Sequence, residues 1–171
     1  CSCVYHMSVG RQRGFCQADP CDWRSEEGIT VESWRKVWRE GLVPQLPTTG
    51  LLALLEALAK DDPRIIQGAT TSPPPISSVV DWPVEGTCVI GFCGWQGEKL
   101  ETVGEVEQFF AQVCRDVDQW LGEPAACRYF LNWFDQTPRD EMRKCLLEEV
   151  RRALSERIPV QSPRKDRIQA A

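Results

Sequence analysis

Histidine and cysteine are the side chains best able to do nucleophilic or metal chemistry near neutral pH. This chain has one histidine, His6, and nine cysteines. Cys1, Cys3, His6, Cys16 and Cys21 share the first stretch of sequence. Cys3, His6, Cys16 and Cys21 could supply four zinc ligands, but the paired C-x2-C knuckles of zinc modules are absent. A zinc-stabilised module at the N-terminus is therefore one reading of this stretch. The other is an irregular segment whose thiols are incidental.

Beyond residue 21 the chain offers no imidazole. A Ser-His or Cys-His nucleophile needs such a base within hydrogen-bond reach. A catalytic metal site rich in histidine is excluded for the same reason. Carboxylates remain, because 25 Asp and Glu are present. Glu26-Glu27, Asp61-Asp62 and Glu148-Glu149 are adjacent pairs. Adjacent side chains on a helix point about 100° apart, so such pairs read as solvated or capping groups rather than dyads. There is no G-x-G-x-x-G and no G-x-x-x-x-G-K-[ST] with which to cradle a phosphate. Nothing in the sequence calls for a cofactor.

Cys88, Cys93, Cys114, Cys127 and Cys145 lie in apolar, helix-like segments, where cysteine behaves as a small hydrophobe. An odd count without a loop-rich framework points to free thiols in a reducing, cytoplasmic compartment. The formal charge is −5, unevenly spread. Residues 31–156 carry 13 basic and 20 acidic side chains, a net of −7, and residues 157–171 a net of +3. Nucleic-acid binding rests on clustered Lys and Arg, so an acidic body argues against it. The longest nearly uncharged apolar stretch, residues 86–95, is far below the roughly 20 residues of a membrane span. No charged, then apolar, then cleavable pattern of a retained signal peptide opens the chain.

These residues must be positioned by elements, and the elements read as helices. Residues 1–29 lack apolar periodicity and are expected to be irregular or disordered. Thr30 reads as the N-cap of a helix over 31–42, with Val31, Trp34, Val37, Trp38 and Leu42 in one stripe. Pro44 and Pro47 should end it. A helix over 50–60 is apolar nearly all round, and so is expected to be sandwiched. Asp62 caps a short turn opened by Pro63. Residues 68–75 end in three prolines and must be a loop, the candidate point for subdividing the domain.

Residues 77–82 suggest a turn of helix, and Asp81-Trp82-Pro83 a helix start. The run over 87–92 suits either a helix or a buried strand. Helix is preferred, because a lone strand would have no partner. Thr102 to Glu105 has the form of a capping box. It opens a stripe of Val103, Val106, Phe109, Phe110, Val113, Val117, Trp120 and Leu121, with Gly122 as C-cap. A further helix runs from Pro124 to about Phe134. The last starts at Thr137-Pro138 and turns Met142, Cys145, Leu146, Val150, Ala153 and Leu154 inward. Residues 158–171 read as a disordered basic tail. The expectation is an all-α domain over 30–157, with five or six helices in a bundle-like or orthogonal arrangement.

The seven tryptophans are the positive oddity. Trp34, Trp38 and Trp120 fit apolar stripes and read as core. Trp82, Trp95 and Trp133 are flanked by turn or polar residues, among them Asp81 and Asp135. Tryptophan near a surface is a common anchor of protein interfaces. The reading that follows is a non-enzymatic adaptor that binds a protein partner through Trp82, Trp95 and Trp133. The alternative is a small enzyme or ligand-binding protein using Asp81, Glu85, Arg128 and Asp135 around a pocket.

Overall fold

The computed structural model describes residues 34–76 and 79–157. The chain is all-α. Among the described residues six helices stand beside one two-stranded sheet. The expected N-cap at Thr30, the segment 1–29 and the tail 158–171 lie outside the described residues.

Helix α1 is a continuous run of Trp34–Lys36, a π-helical turn Val37–Leu42, and Val43–Gln45. It passes Pro44, which was expected to end it. A proline inside an α-helix collides with the carbonyl four residues back and cannot donate to it. The wider π turn takes up that conflict: the Val43 amide reaches back five residues to the Trp38 carbonyl. The chain leaves the helix at Leu46, just before Pro47. Arg157 caps this end: its guanidinium donates to the Val43 and Leu46 carbonyls and to Thr48 Oγ1. Arg157, counted in sequence with the basic tail, thus closes the last helix and caps the first.

Helix α2 spans Thr48–Lys60 and ends on Asp61 in the left-handed region, φ 53°. Leu51, Leu54, Ala57 and Leu58 are buried and Leu52 is exposed, so the helix keeps one open edge while two neighbouring helices cover the rest. Asp62 Oδ1 accepts from the Arg64 amide, closing the turn opened by Pro63. The loop beyond holds strand β1, Thr71–Ser72, which pairs antiparallel with β2, Gly86–Thr87. The strand partner that the sequence did not reveal is therefore inside the proline-rich loop.

Helix α3, Val89–Gly97, starts later than the expected Asp81-Trp82-Pro83; residues 79–82 form turns, and β2 comes before the helix. Val89 through Gly94 are all buried, on every face. Such a helix can be central only if its neighbours come close. A Cβ on Gly50 of α2 would sit 2.3 Å from the Cys93 carbonyl oxygen, and one on Gly94 would sit 2.5 Å from Phe109 Cδ1. Glycines that weaken helix propensity are here the condition of close packing.

Helix α4, Val103–Leu121, begins at the expected capping box: Thr102 Oγ1 accepts from the Glu105 amide, and Glu105 Oε2 accepts from the Thr102 amide. It ends on Gly122 with φ 67°. Helix α5 spans Cys127–Gln136 and α6 spans Arg139–Arg157. The α6 positions expected to face inward are all buried. Helix α2 packs between α3 and α6, α3 also meets α4, and α1 lies against α4 and α5. The core joins all six helices around Trp38, Phe92, Phe130 and Phe134.

Candidate functional site

The first four amides of a helix have no partner inside it. In α4 the third is capped by Thr102, and the first two are met by a loop. The Val103 amide donates to the Trp82 carbonyl at 2.9 Å, and the Gly104 amide to the Val80 carbonyl at 2.8 Å. The loop is further tied by Val84, whose amide donates to the Glu101 carbonyl, and by a bridge between Pro83 and Thr102. Within the loop the Val79 amide donates to the Ile76 carbonyl and the Trp82 amide to the Val79 carbonyl. Val79 and Val84 are buried and pin it from below.

Against that fixed backbone the outward side chains are apolar. Trp82 is 57% exposed, Ile76 56% and Val80 38%. The exposed carboxylates Asp81 and Glu85 accompany them in sequence, and Glu101 is tied to the loop through its carbonyl and the Val84 amide. Large apolar side chains scattered singly on a surface are ordinary. Val80 and Trp82 stand on backbone that the first two amides of α4 hold.

The three tryptophans read from sequence as surface anchors have different places. Trp82 is exposed. Trp95 is half-buried: it meets Phe92 edge-on at 5.9 Å and lies under the Arg64 guanidinium at 5.4 Å. Arg64 is held there by Asp62, at 2.6 Å. The Arg64 hydrogen bond draws the Asp62 carboxyl below its usual range. Trp133 is 8% exposed and stacks on Trp34, so it fills the core and offers no free surface. Trp120, expected in the core, is 68% exposed at the end of α4. Its neighbour Leu121 turns inward instead, and with Val117 it meets Gly41 of α1.

Asp81 flanks Trp82 on the surface. Asp135 is elsewhere: its carboxylate accepts from the Gly68 amide at 2.8 Å and lines a cleft of about 160 Å³ with Thr70, Cys88, Phe110 and Leu131. Of Asp81, Glu85, Arg128 and Asp135, read from sequence as residues around a pocket, only Asp135 borders that cleft. Cys3, His6, Cys16 and Cys21 lie outside the described residues. Among the described residues no group of three or more His, Cys, Asp or Glu is placed to hold a metal ion. No helix among them is long and apolar enough to cross a membrane.

Two features escaped the sequence reading. Glu149 is buried on the inner face of α6, where Arg39 Nε donates to it at 2.7 Å and Arg35 approaches to 3.4 Å. The Glu149 hydrogen bond raises the Arg39 pKa further. The cysteines also divide. Cys88, Cys93, Cys114 and Cys127 are free thiols, whereas Cys145, expected to be free, is disulfide-bonded. Cys114 of α4 and Cys127 of α5 bring their sulfurs to 3.1 Å. Comparison of the chain with family models, with curated proteins and with solved structures found no match.

Proposed function

We propose that the chain is a protein–protein interaction module that docks a partner on the loop carrying Trp82. The observation that carries this reading is a largely exposed indole on backbone fixed by the first amides of α4. Ordering a loop on binding costs free energy, and a loop already held avoids that cost. Tryptophan is enriched among the residues that dominate interface energies, because one indole removes a large apolar area from water. Ile76 and Val80 add apolar area beside it, and Asp81, Glu85 and Glu101 supply negative charge. The complementary partner carries an apolar pocket with a basic rim. Charge of that kind governs association rate and orientation more than affinity.

The test is affinity capture from the source cells, with Trp82→Ala and Trp133→Phe as parallel baits. A partner held by the parent chain and by Trp133→Phe, lost with Trp82→Ala, and cross-linked to residues 79–85 supports the reading. A partner retained by Trp82→Ala removes this loop as the docking site. A rise in complex half-life at high salt would contradict the expected basic rim.

A further inference from the structure

Cys114 and Cys127 come from different helices, separated by the turn through Gly122 and Pro124, and their sulfurs stand 3.1 Å apart. A disulfide needs about 2.05 Å, so a shift of about 1 Å joins them. The two sites are not equivalent. Cys114 is partly exposed on α4, while Cys127 is buried at the first turn of α5. Asp118 lies one turn beyond Cys114, and its carboxylate accepts from the Ala125 and Cys127 amides, each at 3.0 Å. Those bonds fix the start of α5 against α4, so the Cys127 backbone is held where one side-chain rotamer brings its sulfur to Cys114. Phe110 and Leu131, one turn from Cys114 and from Cys127, line the open cleft beside Asp135. Cys88 lines it too.

We propose that Cys114 and Cys127 form a reversible oxidation site, in which a low-molecular-weight disulfide of the oxidised-glutathione class converts the thiol pair to an intramolecular disulfide. Access assigns the order. The Cys114 thiolate, the more exposed, attacks one sulfur of the small disulfide; that bond breaks, and one small thiol leaves carrying the proton from Cys114. The Cys127 sulfur then attacks Cys114 Sγ, loses its proton, and expels the second small thiol. Two protein thiols are oxidised, one small disulfide is reduced to two thiols, and two protons pass to them. The hydrogen bond to Cys114, burial and the nearby Asp118 charge all raise the Cys127 pKa, which fits Cys127 as the resolving thiol and Cys114 as the attacking one.

The product ties α4 to α5 and leaves the Trp82 loop covalently untouched. The site is therefore independent of the docking proposal and is read separately from it. The experiment equilibrates the full chain in reduced and oxidised glutathione at a series of ratios, blocks remaining thiols with N-ethylmaleimide, and digests with trypsin without reduction. Cleavage after Lys99, Arg115 and Arg128 puts the two cysteines in separate peptides, 100–115 and 116–128. The expected result is a linked pair of these peptides, two hydrogens lighter than their sum, at least about tenfold more abundant at the oxidising end and reversible on return. Cys88→Ser should keep the link. A Cys114–Cys88 link in the parent chain, a stable glutathione adduct on Cys114 without the link, or two peptides blocked by maleimide at every ratio would each overturn the proposal. The mapping is done on the parent chain, so it does not depend on any variant folding.

Discussion

Trp34 of α1 and Trp133 of α5 stack face to face, with ring centroids 3.5 Å apart and planes 9° from parallel. Both are buried, and Phe130 lies beside the pair at 6.4 and 6.0 Å. The chain thus spends two tryptophans on joining two helices and leaves Trp82 outside. Replacing a buried aromatic by alanine removes its transfer free energy and leaves a cavity, together about 3–5 kcal/mol. Trp133→Ala should lower stability by about that amount, and Trp82→Ala by less than about 1 kcal/mol. Denaturant midpoints of the two variants check this. Equal losses would mean that Trp82 is a packing residue and not a presented one.

Gly50 offers a sharper test of the packing of α2 on α3. Alanine is the better helix former by about 1 kcal/mol, so propensity alone says Gly50→Ala stabilises. The added methyl would meet the Cys93 carbonyl at 2.3 Å, and that atom is backbone in the buried part of α3. Overpacking of this kind costs about 1–3 kcal/mol and sometimes more. The expected outcome is net destabilisation, read as a lower denaturant midpoint with an unchanged slope.

The long helices α4 and α6 were legible because capping and periodicity agree: Thr102 with Glu105, and Met142, Cys145, Leu146 and Val150 on one face. Helix α3 was less legible because its glycines answer to neighbours distant in sequence. The β1–β2 pair was hidden for the same reason, Thr71 finding Thr87 across sixteen positions. Trp133 was misjudged from its sequence neighbours, Asn132 and Asp135, which point elsewhere on a helix. Its position three residues after Phe130 carried the right signal. Trp120 also has helical spacing, but Leu121 takes the inward place in that last turn. Of the surface, the tryptophan of the Asp81-Trp82-Pro83 turn was readable; that the amides of α4 fix it was not, since that depends on tertiary placement.

Glu149 could have been read from its spacing, four residues after Cys145 and three after Leu146, on the buried face. A carboxylate is retained there because Arg39 and Arg35 face it. Removing one partner of a buried ion pair strands the other charge and costs about 3–5 kcal/mol. The Arg39 side chain is 39% exposed, so water offsets part of this, and about 2 kcal/mol is expected for Glu149→Ala. The comparison is Glu156→Ala, whose carboxylate pairs with Arg152 on the surface and should cost less than about 0.5 kcal/mol. Equal midpoints for the two variants would show that the buried pair contributes no more than the exposed one.

The buried thiols set an alkaline limit on the fold. Burial pushes Cys88 up to about 12, against the opposing hydrogen bonds from the Gly91 and Ile90 amides, and burial likewise raises Cys93. In the unfolded chain both ionise near pH 8.5. A thiol whose folded pKa is raised keeps its proton in the native state while the unfolded state loses it. The unfolded state then binds fewer protons, and stability falls as pH rises. The effect is absent below about pH 8 and grows between about 8.5 and 12, by up to about 1.4 kcal/mol per pH unit for each thiol. Denaturant midpoints measured without oxygen from pH 7 to 10.5 should decline more steeply in the parent chain than in Cys93→Ala, whose curve lacks the Cys93 contribution. Parallel curves would mean that Cys93 ionises alike in both states, and so that the centre of α3 is reached by water.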